Sequence, residues 1–303
     1  MTGRRGTTGR LLRIVCAVAA GLAGAAQAQE QPPSVARGKY IFDAAGCYGC
    51  HTEAGGAPLA GGPALKTPFG TFYAPNITPD PEHGIGRWSD ADFARALREG
   101  VSPSGEHLYP VFPYTAYTKM TAQDVVDLRA YLKTVPPSTK PRRAHELRFP
   151  YAIRAALAPW KWLYFTAGEY TPAPDKDMTW NRGAYLVEAL THCGECHTPR
   201  NTFGPLERNH WLTGARMPVG NLVAGNLTPD KTGLADWTAA DIVETLASGT
   251  LPEGGTVGAE MGEVVRNSTG RLTPQDREAI AVYLKALPAQ PTTVKRNTKQ
   301  GAK

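Results

Sequence analysis

Cysteine and methionine are both scarce in this chain, with five of each in 303 residues. One of the cysteines, Cys16, belongs to an N-terminal segment with the features of a secretory leader. The other four fall in two short motifs, so none is left for a structural disulfide. Sustained apolar/polar alternation is absent, which argues against a sheet-built fold. Beyond the N-terminal segment no apolar run approaches the length of a membrane-spanning helix. Nothing resembles a nucleotide-binding loop or a substrate pocket. A charge excess of one sign is missing as well. The formal charge is +6, but the first 28 residues carry four arginines and no acid. Without them 29 Lys+Arg face 27 Asp+Glu, leaving +2. That balance gives no basis for nucleic-acid binding.

The N-terminal segment reads as a leader. Arg4, Arg5, Arg10 and Arg13 form a basic region, Leu11 to Ala25 is mostly apolar, and Ala26-Gln27-Ala28 supplies a small-x-small cleavage pattern. The hydrophobic residues that should follow a twin-arginine pair are missing, so the general secretory route into the periplasm is expected. The expected leader is 1–28, with the mature chain starting at Gln29.

The four remaining cysteines form Cys47-Tyr48-Gly49-Cys50-His51 and Cys193-Gly194-Glu195-Cys196-His197. Cys-x-x-Cys-His is the attachment motif of c-type haem. Two cysteines three residues apart share one side of a helical turn. Each can form a thioether to one vinyl group of the same porphyrin, and the adjacent histidine offers its imidazole to the iron. A thioredoxin-like reading needs an α/β setting that is not found. A zinc reading would need to join two halves about 146 positions apart. Two covalently bound haem c groups are therefore expected, held by Cys47 and Cys50 with His51, and by Cys193 and Cys196 with His197.

Residues 37–136 and 182–288 read as one module written twice. Arg37-Gly38-Lys39-Tyr40 matches Arg182-Gly183-Ala184-Tyr185. The Asn76-Ile77-Thr78-Pro79-Asp80 segment matches Asn226-Leu227-Thr228-Pro229-Asp230, and Trp88 matches Trp237. Four hydroxyl-x-x-acid boxes, at Ser89, Thr121, Thr238 and Thr273, predict helix starts. Gly100 and Gly249 predict stops. Each module is thin-cored for its size, and an apolar porphyrin would add buried surface.

On these residues each module resembles a class I cytochrome c domain, and the tandem resembles the dihaem cytochromes that accompany periplasmic alcohol and aldehyde dehydrogenases. The resemblance covers nearly all of 37–288. It implies an all-α fold of two tandem class I cytochrome c domains, 37–136 and 182–288, joined by a Pro- and aromatic-rich linker, 137–181. A polar tail over 289–303 is expected to be disordered. The family places a methionine ligand shortly before the last helix, which points to Met120 and Met261; thioether ligation raises a haem potential. Met217 is the alternative for the second haem and His107 for the first. Some relatives carry the ligand where Phe112 stands, and phenylalanine cannot ligate.

The resemblance extends to finer detail. The Gly62-Pro63 and Gly204-Pro205 loops resemble the segments whose carbonyls accept from the axial histidines. Trp88, Trp237, Asn76 and Asn226 are candidates for haem propionates, or else core and turn residues. His192, beside the second motif, is expected to be exposed. The aromatics of 149–165 are expected to pack against the two domains, with a membrane-surface patch as the alternative. The implied function is a periplasmic carrier of single electrons, not an enzyme. It would accept them from a dehydrogenase and pass them to a downstream cytochrome or oxidase of the respiratory chain. A dihaem redox enzyme with one open haem, a peroxidase or thiosulfate dehydrogenase, is the competing reading.

Overall fold

The computed structural model describes Thr2 and residues 34–217 and 222–294. The expected leader, Thr2 apart, and the end of the expected tail lie outside the described residues. The first module runs through α1 (Val35–Ala44), α2 (Cys47–His51), the hairpin β1 (Ala64–Thr67) and β2 (Gly70–Tyr73), α3 (Asp90–Glu99), α4 (Tyr114–Tyr117) and α5 (Ala122–Leu132). The strand β3 (Glu146–Leu147) and helix α6 (Leu157–Tyr164) follow. The second module holds α7 (Met178–Tyr185), α8 (Gly194–His197), the short ribbon β4 (Ala215–Arg216) and β5 (Val223–Ala224), α9 (Ala239–Ser248), α10 (Ala259–Asn267) and α11 (Pro274–Lys285). Helix dominates, as expected. The small antiparallel ribbons are an addition that two to four residues of sequence do not announce.

In both modules the first helix crosses the last at a glycine. A methyl group on Gly38 would stand 1.9 Å from the Asp127 carbonyl oxygen, and one on Gly183 would stand 2.0 Å from that of Ala279. Each glycine therefore sets how closely α1 meets α5 and α7 meets α11. Around these crossings Ile41, Phe42, Leu128 and Leu132 on one side join Leu186, Ile280, Tyr283 and Leu284 on the other in one hydrophobic core. Each module thus supplies apolar cover that the other lacks.

The capping boxes explain how the modules hold each other. At Ser89 and Thr238 both halves of the box close. At Thr121 and Thr273 the hydroxyls accept from the N–H of Asp124 and Asp276. The acids themselves bond tyrosines from the opposite module. Tyr185 donates to Asp124 while accepting from the Thr121 N–H at 3.1 Å. Tyr40 donates to Asp276 at 2.5 Å while accepting from the Thr273 N–H at 3.2 Å. A tyrosine is thus inserted between the cap and its acid at both helix starts, and the contact is reciprocal, as in an isologous interface.

The aromatics of 149–165 divide: Phe149 is 85% and Trp162 84% exposed, whereas Tyr151 packs edge-on against Phe69 and Phe165 against Tyr114 of the first module, and Tyr164 stacks on Phe203 of the second. On α6 it is Lys161 that is buried, its ammonium bonding the Glu99 and Gly100 carbonyls that end α3. A cation there satisfies the orphan carbonyls of a helix C-terminus. The start of the tail is not free, because the Gln290 carbonyl accepts from Asn226 Nδ2 at 2.7 Å and Thr292 N donates to Thr232 at 2.9 Å. Its counterpart after the first module does the same, with Ser138 and Lys140 carbonyls accepting from Asn76. Asn76 and Asn226 are thereby committed to these loops and are turn residues, not propionate ligands. Among the described residues no helix is long and apolar enough to cross a membrane.

Candidate functional site

Each Cys-x-x-Cys-His run is a short helix, α2 and α8, entered by a left-handed residue. In the first module this is Gly46, at φ 60°. In the second it is His192, at φ 40°. The second motif lies one residue further from its glycine, ten positions from Gly183 to Cys193 against nine from Gly38 to Cys47. The extra residue is absorbed by a π-helical turn, Leu186–Leu190, closed by Thr191 N to the Leu186 carbonyl at 2.8 Å. His192 is half-buried, not exposed. Its Nε2 lies 3.4 Å from the Ala45 carbonyl of the first module, and its ring packs edge-on against Tyr117 at 5.6 Å. Tyr117 donates to the same carbonyl at 3.1 Å. The two motifs are therefore linked through Ala45, two residues before Cys47.

The imidazoles are set alike. His51 Nδ1 lies 2.8 Å from the Pro75 carbonyl, and His197 Nδ1 lies 2.7 Å from the Gly225 carbonyl. A carbonyl only accepts, so each Nδ1 carries the proton and each Nε2 keeps a lone pair for a metal. Burial holds both rings below the ordinary histidine range, hence neutral. The acceptors are Pro75 and Gly225, not the Gly62-Pro63 and Gly204-Pro205 loops. The repeat alignment, which pairs Pro75 with Gly225, carried that signal. Gly62 instead lies against the Cys50 carbonyl, where a methyl group would stand 1.7 Å away.

The four thiols are free of disulfides. Burial pushes Cys47 up to about 12 and Cys196 up to about 11. Such thiols are protonated at neutral pH, unlike the low-pKa thiolates of redox Cys-x-x-Cys sites. Among the described residues no group of three or more His, Cys, Asp or Glu side chains converges on a metal position. Paired neutral thiols on one turn, followed by a half-buried imidazole with its Nε2 lone pair directed away from the carbonyl, fit a thioether-linked porphyrin.

On the far side the methionines part. Met261 is the third residue of α10 and half-buried against the core. Met120 is 0% exposed and lies directly before the Thr121 cap, as Leu272, itself 4% exposed, lies before the Thr273 cap. Protein atoms thus enclose Met120 among the core residues, whereas Met261 is only half-buried. Met217 sits beside the β4–β5 ribbon, its N donating to the Leu222 carbonyl at 2.7 Å. His107 Nδ1 lies 3.3 Å from Lys161 Nζ. Trp88 and Trp237 pack half-buried against the core.

Residues 35–136 match the cytochrome c family. A dihaem cytochrome c-type protein of Cereibacter sphaeroides is 45% identical over 94% of this chain and 99% of its own length. The cytochrome subunit of fructose dehydrogenase from Gluconobacter japonicus is 40% identical over 85% of this chain and 53% of its own. The cytochrome c subunit of the quinone alcohol dehydrogenase of Gluconobacter oxydans is 38% identical over 88% and 58%. The chain thus spans a little over half of those two dehydrogenase subunits. With its paired thiols and carbonyl-tethered imidazoles, the chain belongs to the cytochrome c family, as an electron-transfer protein that carries covalently bound haem c.

Proposed function

We propose that this is a periplasmic dihaem cytochrome c that carries single electrons from a dehydrogenase to the respiratory chain. In this reading Cys47 and Cys50 hold one haem with His51 as axial ligand, and Cys193 and Cys196 hold the other with His197. Met261 is the sixth ligand of the second. The observation that carries the reading is the repeated proximal geometry, an Nδ1 hydrogen bond at 2.8 Å in one module and 2.7 Å in the other, within one compact unit. The dehydrogenase subunits among the relatives support the donor class. Export by the secretory route follows from the leader features of residues 1–28.

When bound, haem iron supplies the one-electron change between ferric and ferrous states. The chain's residues fix its surroundings. The Pro75 and Gly225 carbonyls hold His51 and His197 in a single tautomer, which keeps each imidazole oriented and electron-rich. The contact from His192 to Ala45 joins the segments that lead into the two attachment helices. Small, fixed surroundings suit electron transfer because little reorganises when the charge changes.

The test uses the oxidised holoprotein, whose pyridine haemochrome should count two haems per chain. Mixed with a fructose, gluconate or alcohol dehydrogenase turning over its substrate, it should be reduced by two electrons per chain. A terminal oxidase preparation should then reoxidise it. Failure with every such dehydrogenase, together with turnover of peroxide or thiosulfate, would replace the carrier by a dihaem redox enzyme.

A further inference from the structure

We propose that the two haem sites differ in coordination: Phe112 stands in the first where Met261 stands in the second, leaving the iron held by His51 open to a small uncharged ligand such as carbon monoxide or nitric oxide.

The equivalence of Phe112 and Met261 rests on register. After α3 and α9 the chain turns back through matched hairpins. Val101 bridges His107 in the first module, and Thr250 bridges Thr256 in the second. Leu108 N donates to the Gly100 carbonyl and Val257 N to the Gly249 carbonyl, both at 2.8 Å. Every one of these pairs is 149 positions apart, and so are Phe112 and Met261. The separation reaches 152 only at Thr121 and Thr273. The three extra residues of the second module therefore fall between Val257 and Thr273, a stretch in which α10 runs for nine residues from Ala259 where α4 runs for four. Phe112, like Met261, is half-buried against the core.

No other side chain of the segment from 108 to 120 is free to replace a thioether. Met120 is sealed in the core. Tyr109 donates to the Tyr151 carbonyl at 3.1 Å and Tyr117 to that of Ala45 at 3.1 Å. Lys119 is paired with Glu188. Tyr114 is fully buried, its ring edge-on to Phe165 at 5.2 Å and its hydroxyl enclosed without a hydrogen-bond partner. Phe112 itself packs edge-on against Tyr117 at 5.7 Å. The position thus presents a phenyl ring, with its neighbour's hydroxyl already hydrogen-bonded. An apolar ring at that position favours a neutral diatomic over an anion, which would lose its hydration uncompensated.

This rests on haem attachment at Cys47 and Cys50, which the haemochrome count of the same sample checks separately. Failure of dehydrogenase-driven reduction would leave the result untouched. The ferrous holoprotein is titrated with carbon monoxide and followed by its absorption spectrum. One of the two haems should shift. Phe112→Met should abolish that shift and raise the potential of that haem, whereas Met261→Leu should make the second haem respond as well. Met120→Leu should match the wild type. A wild-type spectrum insensitive to carbon monoxide would overturn the proposal, as would a Met120→Leu variant that gains a second response. Azide binding to the ferric protein as strongly as carbon monoxide binds the ferrous one would overturn the ligand class.

Discussion

In the first module an imidazole bonds a carbonyl 24 residues on, at 2.8 Å; in the second the partner is 28 residues on, at 2.7 Å. The loops between differ in length by four residues, yet Leu59 and Leu212, both at φ 61°, hold the same left-handed turn inside them. Covalent attachment explains this tolerance of length and intolerance of geometry. Two thioethers and an axial nitrogen fix three points around one ring, so the loop must deliver its carbonyl to one place. The far side has no such constraint. There a four-residue helix after Phe112 does the work of a nine-residue helix begun just before Met261. Covering a ring needs only apolar volume, whereas ligating its iron needs one particular sulfur. On the proposal that Phe112 stands where Met261 does, a duplicated domain loses a ligand and keeps its fold.

The sharpest way to break the equivalence of the modules is at the helix crossings. Gly38→Ala and Gly183→Ala should each destabilise by on the order of 3 kcal/mol, because a methyl cannot share space with a backbone carbonyl and the crossing must open. Thermal unfolding followed by circular dichroism reads this. Near-wild-type stability of either variant would show that its crossing is not held by the glycine. The tyrosine contacts come next, and they should differ. Tyr185 is 6% exposed, so Tyr185→Phe leaves the Thr121 N–H and the half-buried Asp124 facing a buried ring, at a cost of about 2 kcal/mol. Tyr40 is only half-buried. Water can replace its hydroxyl, and Tyr40→Phe should cost about 1 kcal/mol. Equal losses in denaturant titrations would mean that the two contacts are energetically symmetric despite their different burial.

Acid should act on two groups in different settings. Burial, with Arg142 and Arg154 nearby, pushes His145 down to about 4, while its Nδ1 accepts from Tyr73 N at 3.2 Å. A histidine depressed in the folded state is protonated first in the unfolded chain, so stability is present above about 6.5 and falls as pH drops towards about 4. In the second module Asp276 is raised by burial but lowered more by Arg182 and Tyr40, to a net position below the ordinary carboxylate range. Its contribution holds above about 3.9 and is lost only as pH falls through the folded value. Stability measured from pH 7 to 3 should therefore decline in two stages. His145→Gln should make the first stage shallower, with His107 and His192, also depressed by burial, supplying the remainder, and should leave the second stage unchanged. A first stage as steep as in the wild type would show that His145 contributes nothing to it.

The sequence carried the repeat, the helix starts and the two haem-attachment motifs, since each is written in a local pattern with one geometric meaning. What it hid was relational. Asp124 and Asp276 look like box-closing acids until a tyrosine from the other module is seen between acid and cap. Met120 looks like a ligand because of where it stands before a helix. Its enclosure is a feature of the packed fold rather than of composition. The extra residue before Cys193 was countable, but that it would become a π turn and put His192 into left-handed space was not.

The smallest effect is expected where local sequence misled most. An aromatic run such as Trp160 to Phe165 reads as core, yet a helix has two sides, and in α6 the buried side carries Lys161. Trp160 is held by its Nε1 donating to the Phe203 carbonyl at 2.9 Å, while Trp162 points outward. Since Trp162 is already in water when the chain is folded, unfolding exposes little more of it. Trp162→Ser should then change stability by no more than about 0.5 kcal/mol. Lys161→Ala, on the same helix, removes the cation from the end of α3 and should cost more, about 1 kcal/mol. Reversal of that order in chemical denaturation would mean that the exposed ring, and not the buried ammonium, fastens α6 to the first module.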